Sequence, residues 1–337
     1  MTDDLQTVGE RSALARIIAH LGRPEALLGP GDDAAMIAVP DGRVLLSTDA
    51  MVEGPDFRRA WSTPFELGWK AVATNLADIA AMGARPTGLL VALAAPGETP
   101  VKDLERIAEG MAAACGRLAP GIGVVGGDLT RSPVLSLSIT VTGSADGRDP
   151  VLRSGARPGD AIAYSGRLGL AAAALRLLFE VGEEDAAGIA DLRHARPGLL
   201  AEQLAPTPPI GDGVIAATAG ATAMLDVSDG LLLDALRIAE ASGVALDLDA
   251  AVLTREADGV RAVSDPEGLA TSIPPLGPGE ALALVLGGGE DHGLLACFPG
   301  AVPSEFRVLG TVREGAPAVL LDGEPVDPSG WDSFTPS

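Results

Sequence analysis

The sequence predicts a mixed fold of helices and strands, of the α+β or α/β class, arranged as two domains. At 337 residues the chain is longer than most domains with a single core, so two domains are the default expectation. Segments with helical and with strand periodicity alternate in both halves. Gly, Pro, Arg and Asp cluster at residues 146–160, and this change in composition separates a predicted domain at 1–147 from a second at 148–337.

The predicted elements follow from apolar periodicity and from residues that start or stop helices. Thr63-Pro64-Phe65-Glu66 has the form of a capping box with Pro at the first helical position, and it begins a helix that stops at Gly83. Further helices are predicted at 10–21, at 101–118, after Gly169 and at 231–242. Strands are predicted at 44–47, 88–94, 121–125, 134–142, 161–165, 223–226, 281–286 and 293–298, with the last two as a hairpin.

Charge and composition exclude several classes of partner. The chain has 24 Lys and Arg against 46 Asp and Glu, a net charge of −22, which argues against nucleic acids and anionic membranes. No apolar run reaches the roughly 18–20 residues that a membrane helix needs. The acidic N-terminus lacks the basic start of a signal peptide. Cys115 and Cys297, without a CxxC motif, indicate reduced core thiols, so a cytoplasmic protein is expected.

Acidic residues recur beside glycine or other small residues. Carboxylates that one fold brings together repel each other, and they stay ionised when cations lie between them. The chain has only two lysines and no Walker A loop, so metal ions would have to neutralise a triphosphate. The pattern therefore predicts Mg²⁺ and a nucleotide phosphate. The motifs are Gly31-Asp32-Asp33, Ser47-Thr48-Asp49, Gly126-Gly127-Asp128, Asp226-Val227-Ser228-Asp229-Gly230 and Gly287-Gly288-Gly289-Glu290-Asp291.

Each motif also has a structural interpretation. Asp78 lies in an almost wholly apolar helix, where an ion pair explains an ionised carboxylate as well as a metal does. Ser228 or Asp229 is more readily explained as the N-cap of the following helix. The glycine pairs suit tight turns, or a backbone that approaches phosphate closely. Gly166 and Gly169 suit an anion at a helix N-terminus, although two glycines are a weak signal.

The joint occurrence of the motifs, in this order, resembles the thiamine-monophosphate kinase family. That family belongs to the superfamily of aminoimidazole ribonucleotide synthetase and selenophosphate synthetase. The resemblance covers residues from about 9 to 334. The segments that carry it, beside the five acidic motifs, are Lys70-Ala-Val-Ala-Thr-Asn-Leu-Ala-Asp-Ile-Ala-Ala-Met-Gly-Ala84, Arg153-Ser-Gly-Ala-Arg-Pro-Gly-Asp160 and Gly330-Trp-Asp-Ser-Phe334.

The resemblance implies an aminoimidazole ribonucleotide synthetase-like fold, a homodimer formed through a β-barrel of the N-terminal domains, and phosphorylation of thiamine monophosphate by ATP. Several Mg²⁺ ions would assist a direct transfer that needs no protein nucleophile. The positions that match metal ligands are Asp33, Ser47, Thr48, Asp49, Asp78, Asp128, Asp226 and Asp229. Nucleotide contacts match Gly127, Asp128, Arg153 and Ser228, and substrate contacts match Asp56, Glu290 and Trp331.

Two departures from the family pattern stand near the substrate positions. Pro55-Asp56-Phe57 replaces the usual Val-His-Phe, and an ionised Asp56 cannot donate a hydrogen bond to a phosphate. Asp56 is interpreted either as the ligand of a further ion or as part of a differently shaped loop. The run Glu290-Asp291-His292-Gly293 replaces the usual Glu-Asp-Tyr-Glu and keeps Glu290.

Other functions are also considered. A selenophosphate synthetase would need a reactive Cys near the N-terminus, whereas no Cys precedes Cys115. A hydrogenase-maturation relative would need a C-terminal Cys, whereas the sequence ends Phe-Thr-Pro-Ser. A non-catalytic, metal-buffering acidic protein would need only surface carboxylates, so the predicted burial of Asp78 argues against it.

Overall fold

The structure is a computed structural model that describes residues 4–8, 10–21, 27, 37–39, 41–264 and 273–330. The chain divides into two compact units. The first comprises Met1–Ile79 with Ala84–Arg148, and the second Ala80–Gly83 with Asp149–Ser337. Both contain helices and strands, so the predicted mixed class is confirmed. Within the described ranges, no helix combines the length and the hydropathy that a membrane span requires.

The first unit contains one four-stranded sheet. Its helices are α1 (Leu5–Val8), α2 (Glu10–His20), α3 (Pro64–Ala81) and α4 (Val101–Leu118). Its strands are β1 (Leu45–Val52), β2 (Arg85–Ala95), β3 (Val124–Arg131) and β4 (Ser136–Ser144). The strand order is β1-β4-β2-β3, with β4 antiparallel to both neighbours and β2 parallel to β3.

The predicted capping box starts α3. The backbone N–H of Thr63 donates to the Glu66 carboxylate at 2.7 Å, and the backbone N–H of Glu66 donates to Thr63 Oγ1 at 3.3 Å. These reciprocal bonds satisfy N–H groups that have no partner inside the helix, and they confirm the predicted helix start.

Glycines let α3 and α4 pack with their backbones almost touching. A Cβ on Gly68 of α3 would lie 1.9 Å from the carbonyl oxygen of Ile107. A Cβ on Gly110 of α4 would lie 2.0 Å from the carbonyl oxygen of Phe65. Neither position can therefore accept a side chain without separating the helices.

The helix layer covers only one face of the four-stranded sheet. Ile79 of α3 packs on Gly143 of β4, where a Cβ would lie 2.5 Å from Ile79 Cγ2. The alternate β4 residues on the same face are buried: Leu137, Ile139 and Val141. Leu46 and Leu90 face the other way and are 64% and 42% exposed. We call this side of the sheet the open face, because no helix among the described residues of the unit covers it.

The second unit contains a seven-stranded sheet. Its helices are α5 (Leu170–Val181), α6 (Ala186–Ala195), α7 (Pro197–Leu204), α8 (Ile210–Thr218), α9 (Leu231–Ser242), α10 (Ala250–Ser264) and α11 (Pro278–Gly287). Its strands are β5 (Ala161–Ser165), β6 (Ala223–Val227), β7 (Ala245–Leu248), β8 (Gly293–Phe298), β9 (Arg307–Arg313), β10 (Ala318–Leu321) and β11 (Glu324–Pro325). The strand order is β11-β10-β7-β9-β5-β8-β6, which leaves β6 at one edge.

One predicted element is wrong. Residues 281–286, predicted as a strand, lie in helix α11, which Pro278 begins and Glu280 supports through a hydrogen bond from Gly277 N–H at 3.3 Å. A short apolar run does not distinguish a buried strand from a buried helix, and the Pro and Glu before the run were the better signal. Strand β8 is confirmed, but it pairs with β5 and β6 instead of forming the predicted hairpin.

Two strands extend far enough beyond their predicted ends to include acidic residues that the sequence places outside them. β1 runs to Val52, so Thr48 and Asp49 lie inside the strand and not at its end. β3 begins at Val124 and contains Gly126, Gly127 and Asp128, which the sequence places after a strand. Adjacent residues of a strand point to opposite faces, so both corrections change where the acidic side chains lie.

Candidate active site

Two predicted metal-site residues of the first unit lie on the sheet face that the helices cover, and a third lies on the covering helix α3. Ser47 and Asp49 of β1 pair with Val141 and Ile139 of β4, whose side chains are buried under the helices. Ser47 Oγ donates to Asp78 Oδ2 of α3 at 2.6 Å. Asp78, predicted as buried, is only half-buried, and Asp49 is exposed. Strand β1 and helix α3 are therefore joined by a hydrogen bond between two hard oxygen donors, and Asp49 lies on the same face of the sheet as Ser47.

The sheet places Thr48 and Asp128 on its open face instead. Thr48 pairs with Thr140, whose hydroxyl donates to Thr48 Oγ1 at 3.1 Å. Asp128 pairs with Ala92 and is exposed. Within this unit, the strand pleat therefore separates these two residues from Asp78.

Gly127 lies where β3 and β2 approach closely. A Cβ on Gly127 would lie 2.2 Å from the carbonyl oxygen of Val91, so the strand pairing itself requires glycine here. The sequence analysis explains Gly127 differently, by a backbone that approaches a phosphate closely. The two explanations are independent of each other.

Asp56 binds its own loop. Its carboxylate accepts a hydrogen bond from the backbone N–H of Val52 at 2.7 Å, and its own N–H donates to the Val52 carbonyl at 3.1 Å. The side chain is exposed. This turn follows β1 directly and defines the shape of the Pro55-Asp56-Phe57 segment.

In the second unit, Asp226 lies near the end of edge strand β6 and contacts a histidine. Its Oδ2 lies 3.3 Å from Nδ1 of the buried His292. The backbone N–H of His292 donates to the Val227 carbonyl at 2.8 Å, and that of Glu290 to the Ser228 carbonyl at 2.7 Å. The two acidic motifs of this unit are therefore joined by backbone hydrogen bonds.

Arg237 holds the second carboxylate of the 226–230 motif. Its guanidinium lies 2.6 Å from Asp229 Oδ2 and 2.5 Å from Asp234 Oδ1. Burial raises the pKa of Asp234 to about 6, although Arg237 opposes this shift. Gly230, with φ 121°, is the N-cap of α9, so the assignment of Ser228 or Asp229 as the cap is wrong. Asp234 accepts the Asp229 and Gly230 N–H groups instead, at 3.0 and 3.2 Å.

Glu290 occupies a strained backbone position beside a buried carboxylate. Glu290 and His292 have φ values of 69° and 50°, a left-handed conformation that costs non-glycine residues about 1–3 kcal/mol each. Between them, Asp291 accepts N–H groups of Gly169 at 2.6 Å and Ala171 at 3.3 Å, at the N-terminus of α5. Loss of water around Asp291 raises its pKa to about 7 against the effect of these bonds. The helix N-terminus predicted to suit an external anion therefore binds a carboxylate of the chain.

For the remaining predicted residues the structure gives burial at most. Ser228 is half-buried and Arg153 is exposed. Asp33 and Trp331 lie outside the described residues. Among the residues that the structure does describe, no three His, Cys, Asp or Glu side chains form a group that could hold a metal ion. Burial raises the pKa of the Cys115 and Cys297 thiols to about 12, which keeps both protonated, and their predicted core positions are confirmed.

Sequence reasoning missed Gln203, Arg237 and the cap formed by Asp291. Gln203 donates through Nε2 to the carboxylate of Glu290, 87 residues away. Arg237 had a detectable signal, because it follows Asp234 at the i,i+3 spacing of a helical ion pair. Gln203 had none, since nothing in its local sequence indicates its partner.

The chain is similar to known proteins in sequence and in structure. The family described as AIR synthase related protein, N-terminal domain, matches residues 31–145, and this match assigns most of the first unit to that class of domain. A thiamine-monophosphate kinase from Mycobacterium tuberculosis strain H37Rv is 45% identical over 332 residues, 98% of this chain and 93% of the relative.

Two solved structures cover nearly the whole chain. Thiamine-monophosphate kinase from Stenotrophomonas maltophilia K279a is 32% identical with a TM-score of 0.72, over 94% of this chain and 96% of that one. AaThiL complexed with AMPPCP and TMP is 29% identical with a TM-score of 0.71, over 97% of both chains. The chain belongs to the thiamine-monophosphate kinase family.

Proposed function

We propose that this protein transfers the γ-phosphoryl group of ATP directly to the phosphate of thiamine monophosphate, giving thiamine diphosphate and ADP. The observation that carries the proposal is 45% identity to a thiamine-monophosphate kinase over 98% of the chain. A relative of similar fold was solved with AMPPCP and TMP, which fits a site for a nucleotide and a phosphorylated acceptor. The reaction is one step in the synthesis of thiamine diphosphate.

Several Mg²⁺ ions are proposed to act in this reaction. The donor chemistry fits, because the proposed ligands offer carboxylate and hydroxyl oxygens, the ligands that Mg²⁺ prefers. Bound Mg²⁺ would neutralise phosphate charge and hold the two anionic reactants in line. The proposed ligands are Asp33, Ser47, Thr48, Asp49, Asp78, Asp128, Asp226 and Asp229.

A second set of residues is proposed to bind and orient the nucleotide and the thiamine substrate. Gly127, Asp128, Arg153 and Ser228 are assigned to the nucleotide. Glu290 and Trp331 are assigned to the thiamine substrate, since a carboxylate and an indole face suit a cationic thiazolium ring. Asp56 is assigned to the acceptor-phosphate end of the site. No residue of the chain is proposed as a nucleophile.

The two halves are proposed to divide these tasks. The domain at 1–147 would supply most of the metal and ATP contacts and the dimer interface, and the domain at 148–337 would supply nucleotide and substrate contacts. We further propose a homodimer in which two N-terminal sheets form a barrel. The open sheet face, with Leu46 64% and Leu90 42% exposed, supports this interface. A cytoplasmic location is proposed from the two free, buried cysteines. The absence of a nucleic acid or membrane partner is proposed from the net charge of −22.

An ADP-release assay tests the function. The protein is incubated with ATP and either thiamine monophosphate or an aminoimidazole precursor, with Mg²⁺ or with EDTA. We expect ADP release only with thiamine monophosphate and Mg²⁺. ADP release with the aminoimidazole precursor but not with thiamine monophosphate would assign the protein to another reaction of the superfamily. Full activity in EDTA would refute the role of metal ions.

A further inference from the structure

Gln203 is a buried amide that contacts one carboxylate and leaves its other end unsatisfied. It lies on α7 with 4% of its surface exposed, and its Nε2 donates to Oε2 of Glu290. Its Oε1 is buried without a hydrogen-bond partner in the described part of the chain. A carboxylate only accepts hydrogen bonds, so Glu290 determines which end of the amide faces it.

The backbone of Glu290 is fixed independently of this contact. The Ser228 carbonyl accepts its N–H at 2.7 Å, and the next residue, Asp291, is anchored to the N-terminus of α5. With the backbone held at φ 69°, the remaining freedom of Glu290 lies in its side-chain torsions. The amide of Gln203 restricts those torsions.

We infer that Gln203 is a positioning residue for Glu290, whose carboxylate it holds in the orientation that meets the thiamine substrate. The inference rests on the proposed function, because the contact between Glu290 and the substrate is itself proposed. An amide that served stability alone would have both polar ends satisfied, since a buried unpaired acceptor destabilises the fold. The unpaired Oε1 therefore favours a role in placing Glu290.

The variant Gln203→Met tests the inference, because methionine has a similar length and cannot donate the hydrogen bond. The loss of one hydrogen bond to a charged group is expected to raise KM for thiamine monophosphate about tenfold. KM for ATP should change less than about twofold. Tm should change little, because the variant removes one unpaired acceptor but also removes a donor to the half-buried Glu290 carboxylate. If Gln203→Met fails to fold, Gln203→Asn, which is one methylene shorter, should change the same KM in the same direction.

Ser264→Ala is a matched control. Ser264 is also buried in the second unit, and its Oγ has no hydrogen-bond partner, Glu290 included, in the described part of the chain. Its replacement should leave both KM values unchanged. A rise in both KM values with a lower Tm in Gln203→Met would show a structural role and overturn the inference.

A double-mutant cycle with Glu290→Gln separates this inference from the proposed function. We expect Glu290→Gln to raise KM for thiamine monophosphate, and Gln203→Met to add little in that background. If Glu290→Gln raises this KM and Gln203→Met does not, the inference fails while the proposed function stands. If Glu290→Gln itself has no effect, the substrate role of Glu290 fails and Gln203 has nothing to position.

Discussion

Replacing Asp291 with asparagine is expected to remove a pH dependence of stability. Loss of water raises the pKa of Asp291 from its ordinary value of 3.8 to about 7. Between these pH values the folded protein binds a proton that the unfolded chain has released, so the free energy of unfolding decreases as pH rises. The full difference corresponds to about 4 kcal/mol, since each pKa unit is worth about 1.4 kcal/mol.

The side-chain amide in the variant Asp291→Asn does not titrate, and its oxygen can still accept the Gly169 N–H. Urea unfolding of wild type and variant at pH 5, 6, 7 and 8 measures the difference. The variant should gain about 2–3 kcal/mol relative to wild type between pH 5 and pH 8, because most of the carboxyl ionises in that interval.

Asp185→Asn is the control for this measurement. Asp185 caps α6 by accepting the Gly188 N–H at 2.9 Å, but it is exposed. Asp185→Asn removes a charged helix cap whose carboxylate stays in contact with water in the folded protein. The free energy of unfolding of this variant should therefore show no comparable gain over wild type at high pH. A constant difference between Asp291→Asn and wild type from pH 5 to pH 8 would refute the reasoning.

Three further replacements test individual sites. Asp78→Asn should reduce turnover at least a hundredfold while the circular dichroism spectrum is retained; wild-type turnover at millimolar Mg²⁺ would mean that Asp78 is not a ligand. Gly127→Ala should lower the free energy of unfolding in urea by about 2–3 kcal/mol, because its Cβ would lie 2.2 Å from the Val91 carbonyl oxygen; an unchanged urea midpoint would contradict this. If Asp56 lies at the acceptor-phosphate end as proposed, Asp56→His removes a negative charge there and should lower KM for thiamine monophosphate with KM for ATP little changed; unchanged kinetics would indicate that residue 56 points away from the site.

Local signals in the sequence predicted every element of the first unit except α1, but in the second unit only α5, α9, β5, β6 and β8. α4 and α9 have the bounds that apolar periodicity gives them, and Thr63 and Glu66 form the predicted cap. These features depend on residues a few positions apart, which a single sequence displays directly. The segment at 281–286 was misassigned because its apolar run has no decisive period.

The site was predictable by residue type but not by geometry. Asp226 beside small residues and Asp78 in an apolar helix are predicted as metal ligands from residue type. Their partners, Ser47 for Asp78 and His292 for Asp226, come from distant segments and are not visible in the sequence. A strand that extends a few residues further, as β1 does, places Asp49 and Thr48 on opposite faces of the sheet. The contact of Gln203 with Glu290 joins distant segments, and local sequence patterns cannot reveal it.

The order of strands in the second unit affects how the chain folds during synthesis. Strand β5 lies inside its sheet, yet its neighbours β8 and β9 come from residues 293–298 and 307–313. At a synthesis rate of about 5–20 residues per second, β5 waits roughly 7–30 s for both neighbours to be made. During that time an apolar strand in the nascent chain has two unpaired edges, which exposes it to chaperones and to aggregation.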